Sequence, residues 1–104
     1  MAASDRRVPA PRERSRVLTP ARHAVYRLAP DLLLVFKPRG HREAPHAHAY
    51  RQRLQVLRGM LVVLIGTRRV TLTPITRRLT VGAGRAHATA AVRETWLLAE
   101  SLPD

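Results

Sequence analysis

Two histidines separated by a single residue, His46 and His48, are the side chains of this chain best placed for metal chemistry. Alternate side chains of a β-strand share a face, so both imidazoles would point the same way, roughly 7 Å apart along the backbone. Gln52 lies four residues further on and could return to them if the chain reverses after His48. His87, in the second half of the sequence, could close the site. These residues indicate a metal site inside a small β-scaffold.

Length and composition limit the classes of protein to consider. A chain of 104 residues has room for one domain with a modest core. It contains no cysteine, which excludes disulfides, thiolate metal sites and cysteine nucleophiles. No apolar run approaches the roughly 20 residues that span a bilayer, and the N-terminus lacks the apolar core of a signal peptide. We therefore expect a cytoplasmic protein without a membrane partner.

The chain is strongly basic, with a formal net charge of +12 at pH 7. All of its 19 basic residues except Lys37 are arginine. Genomic codon bias explains this preference for arginine as well as selection for binding a polyanion does. A positive surface attracts nucleic acid non-specifically, so a basic nucleic-acid-binding protein is one alternative. The sequence has four aromatic residues, too few for base-stacking platforms, and we expect no specific nucleic-acid partner.

Short apolar segments between glycines and prolines predict an all-β, antiparallel fold with little or no helix. Residues 1–22 are rich in arginine, proline and alanine and predict a flexible basic arm ahead of a single β-domain at 23–104. The predicted strands cover residues 24–28, 32–36, 56–58, 60–65, 70–73, 79–81, 86–91 and 94–100.

One segment also fits a helix. Residues 47–61 carry Tyr50, Leu54, Leu57 and Leu61 at helical spacing with arginines between them, as in a basic amphipathic helix. The glycine at position 59 and the β-branched run that follows it favour strands instead.

The stretch around the paired histidines resembles the first motif of the cupin superfamily. That motif is Gly, five residues, His-x-His, three or four residues, Glu, six residues, Gly. Here Gly40, His46, His48, Gln52 and Gly59 occupy the same intervals, with glutamine in place of the usual glutamate.

A weaker match lies downstream. The second cupin motif ends in Pro-x-Gly-x-x-His-x-x-x-Asn and is similar to residues 82–91, in which Gly84 and His87 fit, while Gly82 replaces proline and Ala91 replaces asparagine. The resemblance implies an antiparallel jelly-roll barrel, often dimeric, with one metal ion inside. The ligands that it implies are His46, His48, Gln52 and His87.

The resemblance also directs the functional hypotheses. Three imidazoles suit Fe, Mn, Ni, Cu or Zn, and an amide oxygen from Gln52 would coordinate weakly. The first hypothesis is a small-molecule oxygenase at a mononuclear three-histidine centre, with lyase or isomerase chemistry also open. The second is a non-catalytic protein that binds or senses a small anionic ligand, which the departures at Gln52, Gly82 and Ala91 favour.

Strand alternation suggests which other side chains line the cavity. If Gln52 points inward, so do Leu54 and Val56, and if His87 points inward, so do Arg85 and Thr89.

Two of the neighbouring side chains are candidates for positioning a substrate. Arg85 could offer a fork to a carboxylate or phosphate, or could face water at the mouth of a turn. Tyr50 could donate its hydroxyl to a bound molecule or simply cover the edge of the core. His41 is expected outside the site because its odd position places it away from His46. His23 is expected in the arm.

The apolar run at residues 60–65 bears on assembly. Both faces of this predicted strand are apolar, although one face of a single-layer barrel strand should meet water. Either the segment at 28–36 or a second subunit must cover it. We expect a homodimer.

Overall fold

The computed structural model describes residues 20–103, and no helix occurs among them. The all-β antiparallel prediction is confirmed. Residues 1–19 lie outside the described part of the chain, so most of the arm predicted at 1–22 stays a prediction. The strands are β1 (Ala24–Ala29), β2 (Leu32–Lys37), β3 (Arg42–His46), β4 (Arg51–Arg58), β5 (Leu61–Ile65), β6 (Arg68–Leu72), β7 (Leu79–Val81), β8 (His87–Ala91) and β9 (Thr95–Leu102).

The strands form two sheets. One has five strands in the order β1-β2-β9-β4-β7, and the other has four in the order β3-β8-β5-β6. Every pairing is antiparallel. A hydrophobic core draws on both sheets and holds Val35, Leu54, Val56, Leu61, Val63, Ile65, Leu72, Val81, Ala91, Leu97 and Ala99. Burial of these side chains between the two sheets is the main stabilising contribution.

The segment that also fitted a helix is a strand. In β4, Leu54 and Val56 are buried while Leu57 is exposed, so the burial follows the strand alternation rather than the helical one. Hydrogen bonding to β9 on one side and β7 on the other fixes this choice, because a helix there would leave both neighbours unpaired.

Gly59 lies where the chain passes from β4 in one sheet to β5 in the other. Its backbone is left-handed, with φ of 103°. A Cβ added there would lie 2.2 Å from the carbonyl oxygen of Glu94 and 2.6 Å from Oγ1 of Thr95. Thr95 is fully buried, and its hydroxyl accepts a hydrogen bond from the amide of Met60 over 3.1 Å. The crossing is therefore packed directly against the start of β9.

A β-bulge interrupts β3. Glu43 pairs with Thr89 and His46 pairs with His87, so β3 uses three steps where β8 uses two. The extra residue shifts the alternation by one, which puts Glu43 and His46 on the same face. Pro45 sits inside the bulge, where its missing amide hydrogen breaks no regular ladder bond.

The run at residues 60–65 is buried on its core face and partly covered on the other. Leu61, Val63 and Ile65 point into the core, whereas on the opposite face Val62 is 8% exposed and Leu64 is 44% exposed. The segment at 28–36 contains the end of β1 and most of β2 in the other sheet, where Leu33 and Val35 pack with Leu61 and Val63 in the core. Cover of the outer face by a second subunit stays a prediction. Between residues 20 and 103 the structure also contains no helix of a length and apolarity suited to crossing a bilayer.

Candidate metal centre

Three imidazole rings meet at one end of the sandwich. The ring centroids of His46 and His87 are 4.4 Å apart, those of His46 and His48 are 5.0 Å apart, and those of His48 and His87 are 5.3 Å apart. One potential ligand nitrogen from each ring lies within 4.8 Å of the other two. His87 is buried, and the other two rings are half-buried. The group can surround one ion from three sides.

Backbone pairing sets the positions of these rings. His46 ends β3 directly opposite His87, the first residue of β8. The carbonyl oxygen of His48 accepts a hydrogen bond of 2.7 Å from the amide of Gly84, in the turn before β8. That bond ties the segment after β3 to the β7–β8 turn and holds the third ring beside the other two.

Hydrogen bonds to backbone carbonyl oxygens fix the orientation of two of the rings. Nδ1 of His46 lies 2.9 Å from the carbonyl oxygen of Ala44, and Nδ1 of His87 lies 3.0 Å from that of Arg85. A carbonyl oxygen only accepts, so each Nδ1 is the donor, and in the neutral tautomer with this hydrogen bond Nε2 has the lone pair that a metal needs. A backbone carbonyl behind the ring is the usual partner of a metal-ligating histidine. The donor set therefore fits a divalent transition metal.

His48 is held differently. Its ring stacks on Tyr50, with centroids 4.9 Å apart and an angle of 15° between the planes. Burial lowers the pKa of His48, and the neighbouring His46 and His87 lower it further, while Glu43 opposes the change. The ring is consequently neutral at neutral pH, which is the state that binds a metal ion.

The three rings line a cavity of about 170 Å³ between the sheets. Gln52 reaches it from β4 of the five-stranded sheet, after the chain bends at Ala49 and Tyr50. The cavity thus brings together His46, His48, Gln52 and His87. Apolar side chains form much of the remaining wall, including Val25, Leu33, Val35, Leu54, Leu61 and Leu97.

A second polar group lies in the same cavity wall. Lys37 is almost fully buried, and its Nζ is 3.0 Å from Oε1 of Glu43. Thr89 donates to the same oxygen over 3.3 Å. Burial by itself raises the pKa of Glu43, but the hydrogen bond and charge of Lys37 outweigh it and leave the pKa lowered. The carboxylate is therefore ionised at neutral pH.

Two further histidines face that carboxylate. His23 and His41 stack with ring centroids 4.4 Å apart, and their Nε2 atoms lie 3.9 and 3.8 Å from Oε2 of Glu43. Burial lowers the pKa of His23, Lys37 and His41 lower it further, and Glu43 opposes them.

Comparison with solved structures identifies the architecture. A cupin superfamily protein from Desulfitobacterium hafniense matches with a TM-score of 0.70 and 20% identity over 85% of this chain and 86% of that chain. A cupin-2 domain containing protein from Shewanella frigidimarina matches with a TM-score of 0.64 and 16% identity over 89% and 94%. The chain has the cupin fold.

Another solved structure shares this fold, whereas the sequence comparisons find no match. The DMSP lyase DddQ from Ruegeria pomeroyi matches with a TM-score of 0.68 and 23% identity over 80% of this chain, which spans 48% of that enzyme. No family model and no curated protein matches the sequence.

The surroundings of the site differ in part from expectation. His23, expected in the arm, lines the cavity, whereas His41 is not among the lining residues and stacks on His23 beside Glu43. Glu43 also lines the cavity, because the bulge in β3 puts it on the same face as His46, although counting alternate residues gives the opposite face. The signal in the sequence was Pro45, because proline inside a strand marks a bulge or an edge.

The two candidates for substrate positioning differ in their placement. Tyr50 lines the cavity through its stack on His48. Arg85 is exposed in the turn before β8 and is not among the residues that line the cavity. Thr89 and Leu54, which strand alternation from His87 and Gln52 predicts to point inward, do line the cavity.

Proposed function

We propose that this cupin-fold protein binds one divalent transition metal through His46, His48 and His87 and acts on a small molecule in the adjoining cavity. The observation that carries the proposal is the convergence of three imidazoles, two of which are oriented by backbone carbonyls. Gln52 would be a weak fourth ligand or a hydrogen-bond partner of a bound molecule.

The cavity suggests the kind of molecule that is bound. Its apolar wall suits a small carbon skeleton, while Tyr50 and Gln52 offer polar contacts near the histidines. A metal bound there would supply Lewis-acid or redox chemistry to a substrate group. An oxygen-using reaction is the version to test first. Lyase chemistry is the second version, since a DMSP lyase shares the fold.

Metal analysis of the full-length protein, purified without chelating resin, tests the proposal. We expect stoichiometric Fe, Mn, Ni, Cu or Zn at neutral pH. Oxygen uptake by the Fe(II)-loaded protein with candidate substrates then tests the oxygenase version. A protein that takes up none of these metals would contradict the proposal.

The alternative function is a non-catalytic protein that binds a small anionic ligand. The cavity lining contains hydrogen-bond donors that an anion could use, in the imidazoles and in the buried ammonium of Lys37, which also pairs with Glu43. Ligand binding to the metal-free protein would favour this alternative. A homodimer and a cytoplasmic location stay predictions.

Substitution Gln52→Glu should tighten metal binding. The change replaces a neutral amide with an anionic carboxylate of nearly the same shape, on the wall of the same cavity. We expect the dissociation constant for Zn²⁺ to fall by about tenfold, equivalent to about 1.4 kcal/mol. Competition with a chromophoric chelator measures it. Gln55→Glu, on the same strand but outside the cavity lining, is the control, and equal effects of both changes would show a general charge effect only.

Metal affinity should fall as the pH is lowered through the histidine range. Protons compete with the ion for the histidines, and the lowered pKa of His48 keeps its ring neutral to a lower pH than an ordinary histidine. We expect affinity to stay level from pH 8 to about 6.5, the ordinary histidine pKa, and to fall below it. Chelator competition across this range provides the measurement. A large loss already between pH 8 and 7 would argue against neutral imidazole ligands.

A further inference from the structure

A second set of ligand atoms lies beside the three-histidine centre. Nε2 of His23 and Nε2 of His41 are 3.9 and 3.8 Å from Oε2 of Glu43, and the three residues offer ligand atoms within 4.8 Å of one another. Two donors on one zinc ion lie no further apart than two bond lengths, about 4.2 Å. Both separations from Oε2 therefore fit a single ion between the donors.

Nε2 of His41 gives independent support for a bound ion, because it is buried without a hydrogen-bond partner among the described residues. A buried polar atom without a partner costs about 1–3 kcal/mol, so native proteins rarely keep one. Coordination of an ion would use this lone pair.

Glu43 is already arranged as a one-oxygen ligand. Lys37 and Thr89 both contact Oε1, which fixes the carboxylate and leaves Oε2 to face the two histidines. Two imidazoles and one carboxylate oxygen form a donor set that suits Zn²⁺, Fe²⁺ and related ions.

We propose that His23, His41 and Glu43 bind a second divalent transition metal, independently of His46, His48 and His87. The ammonium of Lys37 repels a cation, so this site binds more weakly than the three-histidine centre. The His23 side chain is a third exposed and stacks on His41.

The second ion also links the two sheets. His23 directly precedes β1 of the five-stranded sheet, whereas Glu43 belongs to β3 of the four-stranded sheet. A ligand that binds only the folded state stabilises it, so occupancy of this site raises the unfolding temperature.

Zn²⁺ titration of the chelator-treated full-length protein at pH 7.5 tests the proposal by calorimetry and metal analysis. We expect two equivalents in the wild type, the weaker one accompanied by a rise in melting temperature. His23→Ala should weaken the second equivalent by at least about tenfold and leave the first intact. Arg22→Ala, at the neighbouring exposed position, should change neither. Glu43→Gln is the second variant, since it keeps the side-chain shape and removes the anionic ligand.

The outcomes separate this site from the three-histidine centre. A single equivalent that His23→Ala and Glu43→Gln leave unchanged would overturn the second site, and a water bound to His41 would then explain its buried nitrogen. A single equivalent lost in both variants but kept in His48→Ala would support the second site and contradict the proposed function. Equal weakening by Arg22→Ala would mean that surface charge alone attracts the ion, which also overturns the proposal.

Discussion

Replacing His48 with alanine is expected to remove the metal ion bound by the three-histidine centre and to leave the fold intact. His48 supplies one of three ligands, and its ring contacts Tyr50 and the other two histidines rather than the hydrophobic core. Two imidazoles and a weak amide hold an ion far less tightly than three imidazoles do. Metal analysis should therefore show one equivalent fewer than in the wild type.

A matched variant distinguishes loss of a ligand from local disturbance. Tyr50→Phe keeps the aromatic ring that stacks on His48 and removes only the hydroxyl, so it should retain the metal. The melting temperature of metal-free His48→Ala should match that of the metal-free wild type, because a partly exposed side chain contributes within about 0.5 kcal/mol. Wild-type affinity in His48→Ala would contradict the three-histidine centre.

Replacing Gly59 with alanine is expected to have the largest effect on stability. The new methyl group would lie 2.2 Å from the carbonyl oxygen of Glu94, at a position whose φ of 103° disfavours any side chain. Strained backbone alone costs about 1–3 kcal/mol, and the clash with backbone atoms adds to it. We expect a loss above about 4 kcal/mol, a large part of the stability of a typical domain.

Gly66→Ala provides the control for this substitution. Gly66 also has a positive φ, of 61°, but an added Cβ would meet nothing within 4 Å. It should therefore cost only the conformational preference, about 1–2 kcal/mol. Urea unfolding of both variants measures the difference. If Gly59→Ala is no less stable than Gly66→Ala, the close packing at the crossing does not matter.

Much of the fold could be predicted because its signals are local. Glycines bracket the apolar run that became β5, and Pro74 follows the end of β6. The resemblance to two cupin motifs implied His46, His48 and His87 as common ligands, and the structure brings their three rings together.

The surroundings of the site were harder to predict because they depend on register. Glu43 lies three positions before His46, an odd separation that regular alternation assigns to opposite faces. The bulge at Pro45 changes that assignment. Strand β3 reads Arg-Glu-Ala-Pro-His and has no apolar face, so hydrophobicity gave no sign of it. Its pairing with β8 holds it in place.

The packing around Gly59 shows that the cupin-like motif contains residues needed for the backbone as well as candidate metal ligands. A side chain at this position would clash with Glu94 and Thr95, which lie in the β8–β9 connection and at the start of β9, away from the candidate metal ligands. Gly40 likewise has a positive φ, and its amide bonds to Ala91 over 2.8 Å. A descendant that lost every histidine would still need both glycines to fold. The two glycines are thus needed for the backbone of the scaffold, whereas the candidate metal ligands are His46 and His48 between them and His87 beyond them.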